Sequence, residues 1–175
     1  LADPPWKYNK GGAKKVRPKT SGKPLDYPTL SLDEIKNHLK IVTEHTTDNS
    51  ILFLWTLDKY LFEAQKIAED LGYKLHARMI WDKEIGIPAA FTIRFGVEYM
   101  LYMYKGKLLP VATEERGKIH QCFHEKPKKH SQKPDISFEI INRLYPNTKK
   151  LEMYARNERE DWDCWGNEVC QLDAK

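Results

Sequence analysis

The apolar and polar positions of this chain fall into a recurring alternation. The run Ile51-Leu52-Phe53-Leu54-Trp55-Thr56 is continuously apolar and bounded by Asp and Asn, the pattern of a strand buried on both faces. Before it, Leu32, Ile35, Leu39 and Val42 recur at helical spacing. Ser31 with Glu34 three residues on is a capping box, so a helix is predicted from there to about Glu44. After the strand, Leu61, Ala64, Ile67, Ala68 and Leu71 share a helical face within Tyr60–Leu71, with Gly72 as the stop. Lys74–Trp81 and Tyr99–Tyr104 read as strands, the second a late strand ending at Lys105-Gly106. Ile136, Ile140, Ile141 and Leu144 predict a third helix, opened by Pro134-Asp135 and closed by Tyr145-Pro146-Asn147. A last strand runs through Lys149–Arg156 and ends in polar residues. Strands alternating with helices predict an α/β fold.

The first six residues do not fit a simple element. Leu1-Ala2 is the end of a buried strand, and Asp3-Pro4-Pro5-Trp6 stops it, because proline cannot donate to a sheet ladder. A carboxylate, freed backbone carbonyls and a large aromatic face are thereby predicted at the carboxyl end of a strand, where open α/β sheets bind ligands. A carboxylate and a carbonyl accepting the two N–H bonds of an exocyclic adenine amine would localise its lone pair, and Trp6 could stack the base.

The length of 175 residues suits one domain, 1–175. The net charge of +4 is compatible with a polyanionic partner without requiring one. Cys122, Cys164 and Cys170 make no CxxC pair, which predicts a reducing compartment: cytoplasmic, or nuclear in a eukaryote. No apolar run approaches membrane-spanning length and no signal-peptide pattern is visible. The chain begins inside an apparent strand without Met, which predicts further residues upstream. Residues 7–28 are basic and glycine-rich without apolar period, a predicted mobile loop. Its Lys7, Lys10, Lys14, Lys15, Arg17 and Lys19, with Arg94 further on, are candidates for neutralising nucleic-acid phosphates; a solvated linker is the plain alternative. His120, Cys122 and His124 alternate as on one strand face, but a fourth soft ligand is not evident, so no metal is expected. The start of the third helix is a ready anion site to which Lys133 adds charge.

Asp3-Pro4-Pro5-Trp6 resembles the catalytic motif of adenine amino-methyltransferases. More closely, it is similar to the family that includes the catalytic subunit of the eukaryotic mRNA adenosine methyltransferase and its bacterial and phage DNA-modifying relatives. Gln132-Lys133-Pro134 resembles the end of the family's His-x-x-Gln-Lys-Pro motif, which helps hold the methionine end of S-adenosylmethionine, with His130 one residue closer to the Gln than in that motif. The resemblance extends to Tyr27-Pro28-Thr29-Leu30-Ser31 and to Trp81-Asp82-Lys83, and it implies cofactor-pocket roles for Asp3, Lys133, Glu152, Arg156, Asn167 and Glu168. Trp162 and Trp165 are either core or flanks of the adenosine, and Trp55 either core or a wall of the base pocket. Arg94, Gly96 and Glu98 keep the family pattern, whereas Val97 stands where relatives carry His.

With the catalytic motif before the cofactor motif, the resemblance implies a circularly permuted, Rossmann-like S-adenosylmethionine-dependent methyltransferase fold. It implies methyl transfer to the N6 amine of adenine in a nucleic acid, with Asp3, Pro4, Pro5 and Trp6 as the catalytic turn. DNA is the preferred substrate, RNA the first alternative, and a non-catalytic nucleic-acid-binding partner subunit the second. A homo- or heterodimer is compatible with either.

Overall fold

The computed structural model describes residues 1–7, 28–84, 93, 95–128 and 132–166. Its elements in chain order are α1 (Leu32–Glu44), β1 (Ser50–Thr56), α2 (Leu61–Asp70), β2 (Lys74–Asp82), β3 (Val97–Lys105), β4 (Cys122–His124), α3 (Asp135–Leu144), β5 (Leu151–Met153) and β6 (Asp163–Trp165), with short 3-10 turns at Asp58–Tyr60 and Thr113–Glu115.

Local chemistry sets the helix ends. Ser31 Oγ accepts from Glu34 N at 3.3 Å while Glu34 Oε2 accepts from Ser31 N at 2.7 Å, the predicted capping box. α2 closes in a Schellman motif: Tyr73 N donates to Ala68 O and Gly72 N to Glu69 O, with Gly72 at φ +88°. Leu32, expected on the buried face of α1, is instead exposed, because it stands in the first turn ahead of the packed Ile35 and Leu39.

The sheet is mixed. β3 lies between β1 and β2 and is antiparallel to both, whereas β4 runs parallel to β2 and β5 parallel to β6. The predicted late strand is therefore central. It can be, because both its faces are apolar: Leu101 and Met103 pack on one side, Met100 and Tyr102 on the other. β5 is shorter than the predicted strand over Lys149–Arg156, and β6 is a strand that the sequence pattern did not predict.

The opening residues join the two sets of strands. Ala2 bridges in parallel to Leu54 of β1 and to Met153 of β5. Ala2 N donates to Phe53 O at 2.8 Å, Trp55 N to Ala2 O at 2.9 Å, and Met153 N to Leu1 O at 2.8 Å. The continuous order is β6-β5-(Leu1–Asp3)-β1-β3-β2-β4.

Two cores flank this sheet. Leu52 and Leu54 of β1 face Ile35, Leu39, Ala64 and Ile67 of α1 and α2. Phe53 and Trp55, one residue out of step, face Phe138, Ile140, Ile141 and Leu144 of α3. Helices thus cover both faces, and β1 is buried on both, as its unbroken apolar run requires. No helix among the described residues is long and apolar enough to cross a membrane.

Candidate active site

The first segment, β1, β2, β4, β5 and β6 all point the same way, so their carboxyl ends and the amino end of β3 share one edge. On that edge Asp3 leaves the sheet. Its Oδ1 lies 2.8 Å from Lys133 Nζ, which comes from the turn entering α3. Lys133 also meets Glu98 Oε2 at 3.2 Å, and Glu98 Oε1 meets Lys83 at 2.5 Å. Acid and base alternate along Asp3–Lys133–Glu98–Lys83, four residues from four separate segments. The Lys133 ammonium stands 5.5 Å from the centre of the Trp55 ring.

Electrostatics follow from this enclosure. Burial pushes the Asp3 carboxyl above its usual value, and Lys133 opposes the rise. Burial disfavours charge on Glu98 too, yet Lys133 and Lys83 together leave it below the usual carboxylate range. Burial depresses Lys133, but Asp3 and Glu98 outweigh it and push the ammonium up to about 12. An ammonium has three N–H donors, so with Asp3 and Glu98 engaged one is left over among the described residues.

A second acid adjoins the first. Glu152 of β5 is raised by burial, with Asp3 adding to the rise. Its Oε2 lies 3.4 Å from Arg159 Nε, but neither atom has an aligned hydrogen bond although both are buried. Beyond β5, Ala155 N donates to Trp165 O at 3.0 Å, and an added Cβ at Gly166 would come 2.2 Å from Ala155 O. Only glycine lets these two segments pass so closely.

The family profile of MT-A70 matches residues 1–168. The chain belongs to the MT-A70 family. It is similar to the type II methyltransferase M.MunI of Mycoplasma sp., with 30% identity over 96% of this chain and 76% of that protein. It is also 25% identical to the human N(6)-adenosine-methyltransferase catalytic subunit METTL3, over 97% of this chain but 27% of that protein. The Drosophila melanogaster N(6)-adenosine-methyltransferase MT-A70-like protein gives 25% identity over 97% of the chain and 26% of its own length. This MT-A70 chain thus spans about a quarter of those two eukaryotic relatives.

Of the predicted site residues, Asp3, Lys133 and Glu152 converge. Pro4 and Pro5 form the turn that follows Asp3. Their carbonyls are less free than expected: Pro4 O accepts from Trp6 N at 2.8 Å and Pro5 O from Leu30 N at 3.0 Å, leaving one lone pair on each.

Two expectations are corrected. Trp6 does not present an open aromatic face: it is 6% exposed, stacks on Tyr60 with ring centres 5.3 Å apart, and donates its indole N–H to Trp55 O at 3.0 Å. Nor is the start of α3 an open anion site. The Glu125 carboxylate accepts from Asp135 N at 3.1 Å and Ile136 N at 3.0 Å. Lys133 turns away to Asp3, and Pro134 is the N-cap rather than the first helical residue.

Trp55 is fully buried, the core outcome of the two left open, and Trp162 is buried against Phe138. Lys7 is exposed, and its carbonyl accepts from Tyr60 Oη at 2.6 Å. Arg156 is exposed and adds a minor pull on the Asp3 carboxylate. Lys10, Lys14, Lys15, Arg17, Lys19, Arg94, Asn167 and Glu168 lie outside the described residues. β4 takes in Cys122 and His124 but not His120, and among the described residues no group of three or more His, Cys, Asp or Glu could hold a metal.

Three site residues escaped sequence reasoning. Glu98 was noted only for keeping a pattern, although an acid at the start of an apolar strand signals a specific partner. Glu125 carried no local signal, because its targets lie ten and eleven residues away. Arg159 stands in an irregular connection where spacing says nothing.

Proposed function

We propose that this protein transfers a methyl group from S-adenosylmethionine to the exocyclic N6 amine of adenine in DNA. The observation that carries the reading is the 2.8 Å pairing of Asp3 with Lys133, two residues from separate family motifs far apart in the sequence, at one sheet edge. The order of those motifs supports a circularly permuted, Rossmann-like methyltransferase domain.

The donor set fits the cofactor. Its amino-acid end carries both signs of charge, and the site offers the Lys133 ammonium beside the Asp3 carboxylate. Its ribose hydroxyls need acceptors, and the partly exposed carboxylate of Glu152 is one. When bound, the cofactor supplies an electrophilic methyl group on a sulfonium. The chain's own part is to hold and polarise the amine. Asp3 and the remaining lone pair of Pro4 O accept its two N–H bonds, which localises the nitrogen lone pair for attack. Trp6 supports the turn from below, through its bond to Trp55 O. Lys133 opposes the effect of burial and so favours the ionised, accepting form of Asp3. Asn167, Glu168 and Arg156 complete the pocket in this reading.

DNA is preferred because M.MunI, matched over 76% of its own length, is a type II methyltransferase. A target adenine in a duplex must leave the stack, at a cost of a few kcal/mol. The basic residues 7–28 would offset that by neutralising phosphates.

The test is incubation with labelled S-adenosylmethionine and matched single-stranded DNA, duplex DNA and RNA, followed by identification of the methylated nucleoside. N6-methyladenine in DNA is expected. Product only in RNA would keep the mechanism and overturn the substrate. Cofactor binding without product in any of them favours a partner subunit. Asp3→Ala is expected to abolish transfer while the protein stays folded; retained turnover removes Asp3 from the mechanism.

A further inference from the structure

A second chain of alternating charge runs away from the site on the α3 side. Arg159 lies in the connection between β5 and β6. Its Nε is 3.4 Å from Glu152 Oε2, and its Nη2 is 3.6 Å from Asp135 Oδ1. Asp135 is in turn bound by Lys128 at 2.5 Å. The guanidinium carbon sits 3.5 Å from the centre of the Phe138 ring, so the planar group is held flat against α3. Its backbone is fixed as well: Arg159 bridges to Trp162, whose N–H donates to Arg159 O at 3.3 Å and whose indole donates to Asn142 Oδ1 at 3.1 Å.

This geometry is unusual in one respect. Glu152 Oε2 and Arg159 Nε are both buried and close in charge terms, yet neither completes a hydrogen bond. A buried carboxylate oxygen in that condition is costly, and the Arg159 charge at 3.4 Å is what offsets the cost. Asp135, Phe138 and Trp162 aim the guanidinium, and the guanidinium aims the carboxylate.

We infer that Arg159 is a positioning residue of the cofactor site, holding the Glu152 carboxylate where it accepts hydroxyl donors of S-adenosylmethionine. The inference rests on the reading of Glu152 as a cofactor acceptor given above. Arg159 does not itself touch the reacting atoms; it acts through Glu152. Among the described residues, the charged side chains facing Glu152 are Arg159 and Asp3, with Asp135 and Lys128 beyond Arg159 on the α3 side. Burial raises Glu152 and Arg159 pulls it back, so removing the guanidinium raises it further. Cofactor affinity that needs the ionised form is then lost at a higher pH as the solution is acidified.

The test is calorimetric binding of S-adenosylhomocysteine, an unreactive probe, from about pH 5 to about pH 8. The proteins are wild type, Arg159→Gln, Arg159→Met, Arg159→Lys and Glu152→Gln, with circular dichroism to confirm the fold. Arg159→Met keeps an unbranched stem against Phe138. Both neutral variants are expected to bind about tenfold more weakly at neutral pH, with the acid midpoint moved upward. Arg159→Lys, which keeps the charge, should recover most of the affinity and the midpoint. Folded neutral variants that bind like wild type, with an unmoved midpoint, overturn the inference.

If the neutral variants lose their fold, the lysine variant decides. Binding within about threefold of wild type supports the role, and a folded lysine variant about tenfold weaker overturns it. Glu152→Gln separates the two levels. If it binds like wild type, the cofactor role of Glu152 fails; if it alone weakens binding, only the role of Arg159 fails.

Discussion

Replacing Lys133 by Met is the most informative single change, because the stem over Trp55 is kept and only the charge is lost. The side chains of Asp3, Lys133 and Glu98 are 28%, 15% and 13% exposed. Glu98 keeps Lys83 at 2.5 Å in the variant, so the uncompensated group is Asp3. Breaking a buried ion pair typically costs about 3–5 kcal/mol. Asp3 can escape by taking up a proton, which limits the penalty to about 1.4 kcal/mol for each pH unit above the ordinary aspartate value. The ceiling is therefore about 4 kcal/mol at pH 7 and about 1.5 kcal/mol at pH 5.

The sign is fixed by the direction of each shift. Lys133 is raised from 10.5 to about 12, so its stabilisation is complete below 10.5 and lost as pH rises through about 12. Asp3 is raised above 3.8, so its contribution is greatest below that value and declines as pH rises and the buried carboxyl ionises. Glu98 is lowered from 4.5 and contributes above that value, losing its effect as pH falls. Urea unfolding followed by tryptophan fluorescence, on wild type and Lys133→Met at several pH values between about 5 and 8, measures the difference directly. The gap should widen with pH. A gap that is flat across this range, or below about 1 kcal/mol at pH 8, refutes the reasoning.

Three other outcomes are expected. Trp6→Ala should destabilise the fold by about 3–5 kcal/mol in the same urea experiment, since it removes a packed ring and its bond to Trp55 O; lost turnover with unchanged stability would restore a base-stacking role. Glu125→Gln should lower stability by about 1 kcal/mol in a thermal melt, because it takes a negative charge from the first amides of α3; an unchanged melting temperature would mean that charge at this helix end is immaterial. Lys14, Lys15 and Arg17 changed together to Ala should weaken DNA binding and flatten its salt dependence; an unchanged slope would separate these residues from the phosphates.

Sequence by itself determined what is local. The capping box at Ser31 and Glu34, the glycine stop at Gly72 and the double-sided strand β1 depend on neighbours a few residues away, and each stands where the pattern put it. The Asp3-Pro4-Pro5 turn was legible for the same reason: proline ends a strand wherever it lies. The family motifs were legible as well, and Lys133 meets Asp3 although the two lie far apart in the sequence.

Tertiary structure decided the partnerships among buried groups. An aromatic after a proline turn can face a ligand or a core, and only the position of Tyr60 and the Trp55 carbonyl settles Trp6 as packed. A helix start attracts any carboxylate, and Glu125 reaches the first amides of α3 from its own chain. β3 could pair at an edge or in the centre, and its two apolar faces take the centre once β1 and β2 are laid parallel. Glu98 and Arg159 find their partners across strands and helices, where spacing along the chain carries no information. Burial makes those pairings strong, and burial is a property of the assembled sheet and helices rather than of any one segment.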